Sequence, residues 1–531
     1  MSGEEAPSTL AEEIELKLLA TPAELERIVR HPVIRSLKIG RGRSQHLNGT
    51  YFDTPELALR DKRMALRVRQ EGGVKVQTLK VPAGRAGEAA HHYIEHSCVV
   101  SDGTPDLARI EDETLVQSFA QEDVQARLAP VFSTDVARRT YRVEMIDSEV
   151  ELALDRGEIT GNGKAVEICE AELELISGKP ARLYELALQL IESVPFTLGL
   201  ETKAKRGFKL LKADPAEALH AAPVALTPNM TAETAFDLMV RACFDQMRGN
   251  EAVVLGRSEP EGVHQLRVGV RRLRAILSLY KPWLSAPVAA RLSEELRWLQ
   301  QALGAARDHD VFLLETLAPL DKALEKREPA ILLLREKLEQ QREAAYDEAA
   351  ESITSPRYTR LLLYLGLWSE EHAWLRAPEP GEDRHPRNTS IKDFAAAALD
   401  KRARKLLKLG RRHKKLALEE LHEVRIAAKK FRYPVDFFRC LFSAKTVKPY
   451  RQGLLTLQDS LGHLNDSVVG RRLVQSAFAD SPDPTPQERV LQAKAQGLVT
   501  GWQAANAQVG LSHFAESWKA HRQAKPFWPI K

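Results

Sequence analysis

The stretch that decides the first half of the chain is Glu170-Ala171-Glu172-Leu173-Glu174-Leu175. Carboxylates and aliphatic residues alternate, which is the period of a strand with two unlike faces, not that of a helix. Gly161-Asn162-Gly163 separates two runs of this kind, 148–160 and 164–176, and predicts a hairpin turn between them. The same period recurs in Glu13-Ile14-Glu15-Leu16-Lys17 and in Leu66-Arg67-Val68-Arg69. Residues 12–210 therefore read mainly as strands, with helical stretches near 22–30, 105–128 and 181–193.

A sheet with one wet face explains any one of these strands. Three glutamates or two arginines on one face repel each other unless opposite charge lies between them. A closed barrel with a polar lumen meets that need, because carboxylates hold divalent cations and cations hold phosphates. Lys80, Glu95, Arg138, Arg139, Glu149, Glu151, Asp155, Lys203 and Arg206 are further candidates for such a lumen. Phosphoryl transfer relies on positioning and charge neutralisation more than on a nucleophilic side chain. Gly161-Asn162-Gly163-Lys164 lacks the rest of a Walker A sequence, and no nucleophile elbow or HExxH helix is present.

Beyond a stretch at 213–230 that reads as a linker, the pattern from 231 onward is helical and repeats itself. His264, Arg267, Arg271 and Arg274 recur, 158 residues later, as His422, Arg425, Lys429 and Arg432. Leu299-Gln300 and Leu303-Gly304 recur as Leu457-Gln458 and Leu461-Gly462 at the same offset. So long a period predicts a duplicated bundle of about four helices per half, 231–375 and 390–531. Offsets of 0, 3, 7 and 10 put each basic set on one helical stripe, with Leu266, Val270, Leu273 and Leu277, or their counterparts, opposite. Such a stripe attracts a polyanion, with the histidines adding charge at lower pH. The alternative is that Asp308, Asp310 and Asp466 neutralise it and brace the bundle. Arg307-Asp308-His309-Asp310 with Asn465-Asp466 is a weaker candidate for a cation site.

Composition agrees with two parts of different character. The 531 residues carry a net charge of +4, but residues 1–220 sum to −7, which leaves +11 for the remainder. Hydrophobic residues at 44% and charged residues at 28% describe a folded protein. No run approaches the roughly 18 apolar residues of a membrane helix, and the acidic N-terminus is not a secretory signal. The four cysteines show no metal or disulfide spacing, so a reducing, cytoplasmic setting and no membrane partner are expected. The basic part has no aromatic stacking platform, so nucleic acid is not the expected partner.

These residues resemble a known family. Glu13-x-Glu15-x-Lys17 is similar to the ExExK signature of the CYTH domain, the triphosphate tunnel metalloenzymes. Tyr51-Phe52-Asp53-Thr54-Pro55, Leu66-Arg67-x-Arg69, Thr78-Leu79-Lys80, Arg138-Arg139, Glu151-x-x-x-Asp155-x-Gly157, Glu170-x-Glu172-x-Glu174 and Lys203 with Arg206-Gly207 follow in order. The basic repeat resembles the CHAD domain, often fused to CYTH, and the whole resembles a bacterial CYTH–CHAD inorganic triphosphatase.

The resemblance implies an α+β chain: an eight-stranded antiparallel tunnel with flanking helices over 1–212, then an all-α domain of two duplicated four-helix bundles. It implies Glu13, Glu15, Glu170, Glu172 and Glu174 as ligands of Mg2+ or Mn2+, and Glu13, Glu15 and Lys17 as the catalytic set. Lys17, Arg67, Arg69, Lys80, Arg138 or Arg139, and Lys203 would hold the phosphates of inorganic triphosphate. The helical domain would bind inorganic polyphosphate through the two basic stripes. A polyphosphate-binding protein with a weak tunnel, a thiamine triphosphatase or a nucleotide cyclase are the alternatives. One departure stands out. Tyr93-Ile94-Glu95 occupies the place of an Arg-x-Glu pattern, and His92 or Arg85 is the expected compensation.

Overall fold

A computed structural model describes residues 9–71, 73–82, 91–212, 215–324, 327–382, 384–411, 417–479 and 484–529. Two compact units emerge: Met1–Pro215 with Thr354–Ala373, and Ala216–Ile353 with Trp374–Lys531.

In the first unit, eight strands close into an antiparallel barrel. They are β1 (Thr9–Leu19), β2 (Lys38–Asp53), β3 (Ala65–Glu71), β4 (Val74–Pro82), β5 (His91–Val100), β6 (Ala129–Met145), β7 (Ser148–Gly161) and β8 (Lys164–Ser177). Their order is β5-β4-β3-β2-β6-β7-β8-β1, and β1 closes the ring by pairing with β5. A short strand, β9 (Thr197–Leu198), pairs with the end of β1. The β7–β8 turn has the expected form, with Asn162 at φ 51° and Gly163 at φ 70°. Both central residues thus take the left-handed conformation that matches the twist of a hairpin.

The alternation read from sequence sets the two sides of the wall. Leu16 and Leu18 on β1, and Ala171 and Leu173 on β8, are fully buried on the outer side. Against β1 and β8 packs the helix Ala181–Ile191, which buries Leu183, Leu186, Ala187 and Leu190. Removing one such leucine from water contributes about 2 kcal/mol. The outer side is therefore the core, and the inner side is left to charge.

The second unit is helical. Five helices recur near the 158-residue offset, one more than expected per half: Ala232–Gly249 and Ile391–Leu409; Glu261–Tyr280 and Leu418–Phe438; Ala286–Ala302 and Ala444–Ser460; Gly304–Val311 and Gly462–Ala477; Pro329–Thr354 and Pro486–Gln523. The halves are not separate bundles. Phe312, Leu317 and Leu334 share one core cluster with Leu473, Val474 and Val499, and Tyr280 stacks on Phe394 with centroids 4.4 Å apart. Each half leaves an apolar face that only the other covers.

Two segments depart from the expected division. The Ala- and Pro-rich stretch carries no helix or strand over 215–230, yet it is anchored: Leu219 exchanges two 3.0 Å hydrogen bonds with the Asn250 side chain, and Val224 and Leu226 are buried. The helix Pro356–Glu371 lies within the expected first helical half but belongs to the barrel unit.

Candidate active site

Strand parity decides what faces the tunnel. On β1, Glu13, Glu15 and Lys17 alternate with the buried outer residues. Register then brings Glu15 opposite Glu174, Lys17 opposite Glu172 and Glu13 opposite Tyr93. Across β6, β7 and β8, Arg138, Asp155 and Glu170 share one row. Arg67 and Arg69 share a face of β3, and Lys80 lies opposite Glu95.

One end of the wall is balanced. Arg138 grips Asp155 with two hydrogen bonds, Nε to Oδ1 at 2.7 Å and Nη2 to Oδ2 at 2.6 Å, and also donates to Glu172. Lys203, at the first turn of the helix Lys203–Leu211, reaches Asp155 at 2.7 Å, Glu170 at 2.6 Å and Glu172 at 2.8 Å. Arg206, almost one turn later, donates to Glu170. Lys17 pairs with Glu172 and lies 2.8 Å from Glu15. Burial works against each charge here, but Lys17, Lys203 and Arg138 hold Glu172 well below its ordinary range. Burial likewise opposes Lys17, and Glu15 and Glu172 raise it well above its usual value.

The other end is short of positive charge. Lys80 sits 2.5 Å from Glu13 and 3.6 Å from Glu95. Against burial, Lys80 and Arg67 pull Glu95 down to about 2. Glu13 behaves differently: burial outweighs Lys80 and raises it. Glu174 has no ion pair or hydrogen bond among the described residues. Burial, then Glu13 and Glu15, push it up to about 7. Glu13 and Glu15 raise Glu174 even though Lys80 lies beside Glu13 and Lys17 beside Glu15, and hard divalent ions take such oxygen ligands, so the donor chemistry of Glu13, Glu15 and Glu174 fits a divalent cation.

Asp155, Glu170 and Glu172 also bring carboxylate oxygens within 4.8 Å of one another. Lys203, Arg138 and Arg206 make ion pairs with that cluster, which includes Glu170 and Glu172 of the expected ligand set.

Of the two neighbouring arginines, Arg138 is the one that faces the tunnel. Arg139 is a correction to the expected phosphate-binding set. Adjacent strand residues face opposite sides, and Arg139 points outward to Glu26 on the helix Pro22–Arg30, at 2.8 Å. Tyr93 does face the tunnel, with the Lys80 ammonium 5.9 Å from its ring centroid. Burial raises its hydroxyl, so it stays a neutral phenol. His92 cannot compensate from β5, since parity puts it on the outer side; Arg85 lies outside the described residues. Asp155, expected among the lumen residues, lies opposite Glu170 in the register that follows from the turn at 161–163.

In the helical unit, His264, Arg267 and Arg271 crowd together with Arg307. Burial, Arg271 and Arg307 all lower Arg267, which donates to the Gln300 carbonyl at 2.8 Å. Arg271 has no hydrogen bond or ion pair among the described residues, and its Nε is buried. Arg274 donates to Gln300. Among the described residues Asp308 partly offsets the crowding of Arg267, but the side chains of Asp308 and Asp310 bond elsewhere. Asp310 is taken by Arg342 at 2.7 Å and Tyr346 at 2.8 Å, and Asp308 accepts from Arg472. The Asp466 side chain lies outside the described residues. Burial and Arg307 hold His264 down to about 4, so any charge it adds comes well below pH 7. In the second copy, Arg425, Lys429 and Arg432 are half-buried and His422 is exposed. The two repeat helices touch through Arg272, stacked 4.8 Å over Phe437, and neither belongs to a stripe. Among the described residues no helix is long and apolar enough to cross a membrane.

Comparison with known proteins follows the same division. The CYTH domain profile matches residues 11–208 and the CHAD domain profile residues 238–475. A Haemophilus influenzae inorganic triphosphatase is 30% identical over 206 residues, which cover 38% of this chain and 55% of that protein. The chain thus spans about half the length of that relative. An uncharacterised Mycobacterium tuberculosis protein is 26% identical over 471 residues, 83% of this chain and 84% of that one. The crystal structure of the CHAD domain from the plant Ricinus communis is 30% identical, with a TM-score of 0.50, over 59% of this chain and 99% of that one. The chain belongs to the proteins that join a CYTH domain, here the charged β-tunnel, to a CHAD domain, here the duplicated basic helical unit.

Proposed function

We propose that the tunnel hydrolyses inorganic triphosphate to pyrophosphate and phosphate with Mg2+ or Mn2+, and that the basic helical unit binds inorganic polyphosphate in the cytoplasm. The observation that carries the tunnel reading is the split of its wall into a cation-poor carboxylate group and a row of anchored cations. Glu13, Glu15 and Glu174 would hold the metal, which supplies charge neutralisation for phosphate oxygens and water. Lys17, Arg67, Arg69, Lys80, Arg138 and Lys203 orient the triphosphate and stabilise the charge that develops on the leaving pyrophosphate. Glu170 and Glu172 keep Lys17, Arg138 and Lys203 charged and directed inward. Glu13 and Glu15 would also orient the attacking water.

The Haemophilus relative supports inorganic triphosphate over an organic one, although the match covers only part of it. The polyphosphate reading is carried by Arg267, Arg271 and Arg307, whose mutual repulsion an anion would relieve.

The test is phosphate release by the full chain from inorganic triphosphate, ATP, thiamine triphosphate and long-chain polyphosphate, with each metal. Glu15→Gln serves as the blank. Selective, metal-dependent cleavage of inorganic triphosphate is expected. Cleavage of none of the four, with salt-sensitive polyphosphate binding retained, would leave only the binding role.

A further inference from the structure

Among the described residues the helix Pro356–Glu371 has no counterpart in the second helical half, and it folds with the barrel. Its packing is specific. It lies along the helix Ala181–Ile191, the helix that covers β1 and β8. Thr359, Leu363 and Gly366 share one stripe, and all are buried. A Cβ on Gly366 would stand 2.1 Å from the Tyr184 ring, so any other residue there must displace that ring or one of the two helices. At the other end of the stripe, the Thr359 hydroxyl donates to the Phe196 carbonyl at 3.1 Å.

Phe196 opens a strap that leads directly into the site. Next come Thr197 and Leu198, which pair with Leu19 and Leu18 of β1. The Gly199 amide then donates to the Lys17 carbonyl at 2.9 Å. Thr202 caps the following helix through the Lys205 amide at 3.1 Å, and Lys203 begins that helix. A single short segment therefore fixes the backbone of Lys17 and the start of the Lys203 helix. It is itself fixed by a helix from the middle of the CHAD part of the sequence.

We infer that the helix Pro356–Glu371 is a working part of the tunnel, and that Thr359 and Gly366 are positioning residues for its phosphate-binding cations Lys17 and Lys203. The functional half of this inference rests on the reading of the tunnel as a triphosphate site; the structural half does not. Burial supports the assignment. The Thr359 hydroxyl is 1% exposed and bonded to the Phe196 carbonyl, so its removal leaves a buried acceptor unpaired. That loss falls on the strap and not on β2, β3 or β4.

The experiment compares the full chain with Thr359→Val, Thr359→Ser and Gly366→Leu by amide hydrogen exchange without substrate, and by tripolyphosphate binding and turnover. For Thr359→Val, exchange over 194–203 is expected to quicken about tenfold while β2–β4 stay protected. KM for triphosphate should rise several-fold with kcat less affected, and Thr359→Ser should restore both. Gly366→Leu should do the same more strongly, and if it unfolds the unit, Thr359→Val still decides. Unchanged exchange over 194–203 in Thr359→Val overturns the inference. Faster exchange there, in a protein that hydrolyses no triphosphate, would keep the positioning and discard the proposed activity.

Discussion

Arg138 and Asp155 lock together across neighbouring strands by two parallel hydrogen bonds, and Asp155 is completely buried. The same carboxylate takes Lys203 at 2.7 Å, so one anion directs two cations into the tunnel. Asp155→Asn leaves both with one fewer counter-charge in a low-dielectric wall. Breaking a buried pair from one side costs about 3–5 kcal/mol. Urea melts should show a loss of that order, and KM for triphosphate should rise as Arg138 and Lys203 lose their aim.

Glu174 should behave in the opposite way towards stability. It is crowded by Glu13 and Glu15 and has no cation of its own among the described residues. Glu174→Gln removes one of three mutually repelling carboxylates. Without metal, the melting temperature should hold or rise. Turnover should nonetheless fall by about 100-fold or more, the usual order for a lost electrostatic partner of the reacting group. Titration with Mn2+, followed by isothermal calorimetry, should show weaker binding than in the parent.

Tyr93 puts a neutral phenol where the tunnel wall faces Glu13 and approaches Lys80. Tyr93→Arg places a cation opposite Glu13, at the end of the wall that is rich in carboxylates, so the protein without anion should melt no lower than the parent. With triphosphate present the added charge should lower KM. A KM unchanged by the substitution would show that position 93 does not meet the substrate.

His521 gives the helical unit an acid limit. Its ring lies among Phe431, Tyr450 and Trp518, its Nδ1 has no hydrogen-bond partner, and burial lowers its pKa to about 4. The unfolded chain takes up this proton near the ordinary value of 6.5. Between those values the unfolded state binds more protons, so stability is full above about pH 6.5 and declines as pH falls towards 4. Melting curves across that window should show the decline. His521→Phe should flatten it.

Much of the barrel was legible because its strands carry opposite chemistry on alternate residues. Glu13, Lys17, Arg67, Glu172 and Glu174 each stand on the charged side of such an alternation. The hairpin at Asn162 and Gly163 gave one register outright. Arg138 and Arg139 could not be separated by spacing, because adjacent residues are both plausible until β6 is paired; the Glu26 contact then settles it. The helical repeat was legible from the offset between His264 and His422. The shared core of Phe312 and Leu473 was not, since an apolar helix face does not name its partner. Nor does the sequence of Pro356–Glu371 reveal that Gly366 fits the Tyr184 ring. That is a long-range match, and a single sequence carries no record of it.

The assignment of Thr354–Ala373 to the barrel unit means that the chain passes from one unit to the other three times. A gene break at the linker would not yield two complete proteins. The upstream product would lack a helix that covers Tyr184, and the downstream product would carry that helix with its apolar face exposed. A cut at the linker thus parts Gly366 from the Tyr184 ring it packs against.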